Sequence, residues 1–122
     1  MTDYLSEHHI RLLDEQLTLV KCALNEALHG GSTRAIQKTF GGTIHELKQL
    51  EEIFEHASSE TSILLKATQW RQVYDLIHAT IYGLGHFEFS TNTGFPIEVA
   101  LNTNLYIASK LWGVYGESKF PC

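Results

Sequence analysis

The residues best suited to chemistry share one polar face of a long predicted helix. They are spaced by four, three and four positions: Arg71, Asp75, His78 and Tyr82. This spacing places their side chains on one side of a helix, and an aspartate that orients a histidine is the core of many acid–base sites. The same spacing also describes an ordinary exposed face with an Arg–Asp ion pair. Because no nucleophile or oxyanion-binding group accompanies them, we predict that the chain is not an enzyme.

A second set of residues has a spacing that metal sites use. Glu26 and His29 form a Glu-x-x-His pair, and Cys22 precedes Glu26 by one helical turn. Di-iron bundles need a second such pair and two further glutamates, all pointing into the bundle. Here the pair occurs once and lies on the outer face of its predicted helix, away from the apolar stripe. Nucleotide-binding motifs are also missing from the sequence, so we expect neither a metal nor another cofactor.

The whole chain has a formal net charge of −5, and its acidic residues are concentrated in the first half. Residues 1–60 hold ten acidic and five basic residues, whereas residues 61–122 hold four of each. Five glutamates lie in one stretch that has a single base, Lys48: Glu46, Glu51, Glu52, Glu55 and Glu60. Such a surface either keeps the protein soluble or binds a cationic partner. No run of Lys or Arg is present, so we expect no binding to nucleic acid or to a membrane.

The elements that position these residues are predicted from apolar spacing. The pattern indicates one all-α domain over residues 1–122, a compact bundle of four to five amphipathic helices. The expected helices cover about residues 3–28, 32–40, 44–57, 58–84 and 96–115. Paired glycines separate the first three, and Thr43-Ile-His-Glu46 reads as a capping box that opens the third.

The last helix has the widest apolar arc. Its members are Ile97, Leu101, Leu105, Ala108, Leu111, Trp112 and Tyr115. An arc of this width predicts that the helix is the most buried in the bundle.

An aromatic loop or short hairpin is expected near residues 85–96. Phe87 and Phe89 alternate with polar residues, as in a strand, and Asn92 and Gly94 favour a turn. The phenylalanines of this segment either cover the end of the bundle or act as exposed anchors at an interface.

The cysteines and the N-terminus indicate the compartment. Cys22 and Cys122 form no Cys-x-x-Cys motif, and the first residues lack the basic and apolar segments of a secretory signal. No stretch approaches the roughly 20 apolar residues that a membrane span needs. We therefore expect a cytoplasmic protein with reduced thiols.

In size, acidity and helical content the chain resembles the small cytoplasmic immunity proteins of bacterial toxin–immunity systems, such as those of contact-dependent growth inhibition. The glutamates listed above carry the resemblance, with His86, Phe87, Glu88 and Phe89 as a second contact. The resemblance implies an antitoxin without enzymatic activity. It would be a monomer alone and would form a 1:1 complex with a basic toxin domain, a nuclease whose active site or substrate groove it covers.

Two other interpretations remain open at this point. One is a small helical enzyme that uses the Asp75 and His78 face. The other is a self-associating structural or regulatory bundle whose apolar stripes form a dimer core.

Overall fold

The computed structural model describes the backbone of residues 6–115 and the side chains of residues 6–111. Two short strands and five helices follow one another along the chain. They are β1 (Glu7–Ile10), α1 (Asp14–His29), α2 (Thr33–Phe40), α3 (Ile44–Glu55), β2 (Ile63–Lys66), α4 (Ala67–Thr93) and α5 (Ile97–Tyr115). The all-α class and the number of helices predicted from the sequence are confirmed. No helix in the described part of the chain is long and apolar enough to span a bilayer.

The helix ends follow local chemistry that the sequence displays. Gly41 has φ 77° and caps α2, because a left-handed backbone angle is easily adopted only by glycine. The predicted capping box opens α3. The Thr43 hydroxyl accepts the Glu46 N–H at 3.1 Å, and the Glu46 carboxylate accepts the Thr43 N–H at 2.8 Å. These contacts satisfy two backbone donors that a helix start leaves unpaired.

The two strands correct the expected start of the first and fourth helices. β1 pairs with β2 in antiparallel register, with Glu7 opposite Lys66 and Ile10 opposite Ile63. The first helix therefore begins at Asp14, and the expected residues 3–5 lie outside the described part of the chain. Residues 58–62 form turns rather than a helix, so α4 begins at Ala67. A strand needs a hydrogen-bonding partner, and here that partner is distant in sequence, beyond the reach of local periodicity.

The expected loop or hairpin near residues 85–96 is also wrong. Residues 86–93 continue α4 beyond a kink at Gly85, whose φ of 79° and ψ of 164° are non-helical. Phe89 and Thr93, one turn apart, are buried along this second segment, and this helical spacing explains its apolar residues better than a strand does. Only Gly94, Phe95 and Pro96 connect α4 to α5.

The core is centred on α1 and α4. Helix α1 packs against α3 and α4, and α4 packs against α2 and α5. Trp70 of α4 is fully buried, meets the ring of Phe54 edge-on at 6.4 Å, and donates its indole N–H to the His8 carbonyl at 3.0 Å. This single side chain therefore joins α3 and the small sheet to the central helix.

Candidate binding surfaces

Three glutamates of α3 form one acidic face, defined here as Glu51, Glu52 and Glu55. At about 100° per residue they fall within an arc of roughly 100° on the side of α3 opposite to the buried Leu50. Glu52 and Glu55 are exposed, and Glu51 is half-buried. Lys48 is exposed on the same arc, so the acidic face and Lys48 together carry a net charge of −2.

The acidic face borders an open groove between α1 and α3. The groove has a volume of about 400 Å³ and is lined by Lys21, Leu24, Asn25, Glu51, Phe54 and Glu55. Across the same two helices, the Glu51 Oε2 accepts a hydrogen bond from the His29 Nε2, at a distance of 3.0 Å. The side chains of His29 and Glu51 are 56% and 40% exposed, so solvent weakens the contact and it adds little to stability.

Glu46 lies on the other side of α3 and is held by contacts within the chain. Besides capping the helix, its carboxylate accepts the Gln72 amide of α4 at 2.6 Å. The backbone hydrogen bond from Thr43, followed by the side-chain bond from Thr43, lowers the pKa of Glu46 below its ordinary value. The capping contact with Thr43 was predicted from the sequence, whereas the contact with Gln72, which is distant in the chain, was not.

Glu60 is separate as well. It is exposed in the turn between α3 and β2, where its N–H donates to the Ser58 hydroxyl at 3.1 Å. The five glutamates of the acidic stretch therefore do not form one continuous surface.

The four residues that were expected to form a second contact face different directions. Phe89 is fully buried, so the expectation that it contacts a partner is corrected: it is a core residue. Phe87 is 84% exposed, and His86 and Glu88 are exposed. The helical conformation after Gly85 explains this division, because residues two positions apart lie on opposite sides of a helix.

The polar face of α4 is assembled as the sequence predicts. The Arg71 Nε lies 3.1 Å from the Asp75 carboxylate, and the ring centroids of His78 and Tyr82 are 4.6 Å apart. Burial raises the pKa of Asp75, while the Arg71 charge and then His78 oppose that shift. The contacts seen for these residues suit an ion pair and a ring pair on a helix surface.

The same face leads into a groove between α4 and α5, named here the α4–α5 groove. It has a volume of about 440 Å³ and is lined by His78, Ile81, Tyr82, Gly85, His86, Ile97 and Leu101. The prediction that α5 is the most buried helix fails here, since Leu101 is 51% and Leu105 60% exposed. The described arc members Ala108 and Leu111 are buried, and the side chains of Trp112 and Tyr115 lie outside the described residues.

The residues considered for a metal site make separate contacts. The Glu26 carboxylate accepts a hydrogen bond from the Asn92 side-chain amide at 3.0 Å, while His29 contacts Glu51. Cys22 is half-buried, and burial, with a smaller contribution from Glu26, raises the pKa of its thiol. Among the side chains that the structure describes, no three His, Cys, Asp or Glu residues are grouped to hold a metal ion.

Comparison with known proteins leaves the geometry as the basis for interpretation. No protein family, no curated protein and no solved structure was found to match the chain.

Proposed function

We propose that this chain is an immunity protein that binds a basic toxin domain, a nuclease, through the acidic face of α3. The observation that carries the proposal is the common solvent-facing arc of Glu51, Glu52 and Glu55 beside an open groove. In this role the protein has no enzymatic activity, acts in the cytoplasm and binds one toxin domain per chain.

The charges explain why a basic partner suits this face. Glu51 and Glu55 are one turn apart and repel by a few tenths of a kcal/mol, and a nearby cationic group relieves that repulsion. Nucleases carry basic residues where they bind phosphates, so carboxylates held on a rigid helix can occupy the same positions. Charge complementarity of this kind speeds association and selects the partner, while shape and apolar contacts supply much of the affinity.

The groove beside the acidic face supplies a place for a partner side chain. Leu24 and Phe54 lie at its floor and are only 2% and 0% exposed. A side chain that enters the groove therefore meets chiefly Glu51 and Glu55, with Lys21 and Asn25 on the α1 side. A lysine or arginine of a partner fits this chemistry, because its charge meets the carboxylates of Glu51 and Glu55 on the α3 side of the groove.

The experiment is capture of partners from the native host with tagged protein, at low and at moderate salt. The wild-type chain should retain a basic domain in a 1:1 ratio, with less retained as salt rises, because salt screens exposed charges. The captured domain is then assayed for nuclease activity, which should be lost when the wild-type chain is added. A captured domain that keeps full activity in the complex would overturn the immunity role.

A matched pair of variants tests the surface. Glu52→Lys/Glu55→Lys should weaken capture and reduce its dependence on salt. Glu98→Lys changes an exposed carboxylate of α5 and should leave capture intact. Equal capture by both variants would show that the acidic face is not the binding surface.

A further inference from the structure

His29 contacts the acidic face from the neighbouring helix. It is the last residue of α1, and its Nε2 donates a hydrogen bond to the Glu51 Oε2 of α3 at 3.0 Å. Glu51 lines the groove between these helices together with Glu55. The imidazole therefore contacts one of the two carboxylates that a cation in the groove would meet. Because His29 is 56% exposed, it also exchanges protons freely with solvent.

We infer that His29 makes cation binding by the acidic face depend on pH, with weaker binding at about pH 5.8 than at about pH 7.5. This inference rests on the proposed function, in which the acidic face binds a basic partner. Histidine is the side chain that ordinarily gains a charge in this range. While its ring is neutral, His29 gives Glu51 only an uncharged hydrogen bond, and the carboxylate keeps its full charge for a partner.

Protonation of His29 changes the acidic face in two ways. The three glutamates and Lys48 carry a net charge of −2, and one added positive charge reduces it to −1. The contact with Glu51 also becomes an ion pair, which holds that carboxylate toward α1. Both changes oppose a second cation at the same carboxylate, so acid should weaken the binding of a basic partner.

The other charged residues around this pair are acidic groups, lysine or arginine. They lie within one turn of His29 or Glu51, at the start of α2, or on α4 one turn before the Asn92 that contacts α1: Glu26, Lys48, Glu52, Glu55, Arg34 and Glu88. Side chains of these types ordinarily keep their charge between about pH 5.8 and 7.5. The charge that changes in this range therefore belongs to histidines.

Two further histidines belong to α3 itself. His45 lies in its first turn and His56 directly follows its last residue, and both are exposed. Among the described side chains, only His29 of these three forms a hydrogen bond or ion pair with a carboxylate of the acidic face. His45 and His56 act on the face from a greater distance, where salt and solvent screen their charge. The larger part of the pH dependence is therefore assigned to His29.

A decalysine peptide tests the inference without the native partner, because lysine keeps its charge across this range. Its affinity is measured from the α3 backbone amide signals in NMR titrations at low salt, at the two pH values. Wild type should bind about two- to fivefold more weakly at the lower pH, as expected for one exposed charge. His29→Gln keeps an uncharged donor beside Glu51, so it should bind like wild type at the higher pH and lose most of the pH dependence.

His78→Gln is the matched control, because His78 is an exposed histidine that lines the α4–α5 groove instead. This variant should keep the pH dependence of wild type, and circular dichroism at both pH values confirms that each variant is folded. Equal pH dependence in His29→Gln and wild type overturns the inference. So does a peptide that leaves the α3 signals unchanged at the higher pH. Neither result decides the immunity role, which is tested separately by capture of a toxin domain and loss of its nuclease activity.

Discussion

The acidic face of α3 and the surface beside the α4–α5 groove differ in the chemistry of their exposed side chains. The acidic face holds exposed carboxylates on a helix whose inner residues, such as Leu47 and Phe54, are fully buried. Beside the α4–α5 groove, α5 exposes Leu101 and Leu105, while its other side is equally well packed. Charge acts over a distance and depends on salt, whereas apolar contact requires a fitting shape at close range. The comparison teaches that one small bundle can present two surfaces of different chemistry.

The largest effect is expected from a substitution in the core, on which both surfaces depend. Trp70→Ala should lower the free energy of unfolding by about 3–5 kcal/mol, because it leaves a cavity beside Phe54 and ends the hydrogen bond to the His8 carbonyl. Denaturant unfolding measures the change. Tyr82→Ala is the control, since Tyr82 is 70% exposed and its loss should change stability by about 0.5 kcal/mol or less.

A smaller effect is expected from a substitution at the kink in α4, which should alter one surface and not the other. Gly85 lines the α4–α5 groove with a φ of 79° and a ψ of 164°, a region that is almost restricted to glycine. Gly85→Ala should destabilise the protein by about 1–3 kcal/mol and disturb the groove while leaving the α3 surface unchanged. Gly31→Ala is the matched control, since its added methyl would meet no atom within 4 Å and its φ is not positive. Equal unfolding midpoints for the two variants would show that the kink stores no strain.

The capping box supports the acidic face from the start of α3. Thr43→Ala should lower the free energy of unfolding by about 1 kcal/mol, because the Glu46 N–H loses its acceptor. Thermal or denaturant unfolding measures this change. A Thr61→Ala change in the turn after α3, where Thr61 is exposed, should have little effect. If Thr61→Ala lowers the free energy of unfolding as much as Thr43→Ala does, the lost cap is not the cause of the decrease.

The same box gives the protein a pH dependence with a defined sign. The pKa of Glu46 is lower in the folded chain than its ordinary value, so the folded state favours the ionised carboxylate. Its contribution to stability is therefore present above the unfolded pKa and is lost as the pH falls through the folded pKa. Glu46→Gln should reduce stability at neutral pH, and the difference from wild type should shrink as the pH falls through the folded pKa of Glu46. A constant difference at all pH values would contradict this assignment.

Features that depend on neighbours in sequence were predicted well. The end of α1 near Gly30, the capping box of α3 and the start of α5 after Pro96 were all expected from local chemistry. These signals succeed because capping and turn formation involve residues only a few positions apart.

Features that depend on contacts between distant parts of the chain were not predicted from the sequence. The β1–β2 pair requires two segments that lie far apart in the chain, and neither segment shows that requirement by itself. The apolar arc of α5 is wider than the single face that packs on the bundle, so Leu101 and Leu105 were assigned to the core. Sequence alone does not show how many neighbours a helix has, and this is what decides whether a wide arc is buried or left as a surface.

The measurement that tests the central claim most directly compares two charge changes of opposite sign on the acidic face. The captured basic domain is titrated calorimetrically with the wild-type chain, with Glu52→Lys and with Lys48→Glu, at low and moderate salt. The account predicts that Glu52→Lys weakens binding, that Lys48→Glu strengthens it, and that both differences shrink as salt rises. Unchanged affinity in both variants, or the same direction of change in both, would contradict it.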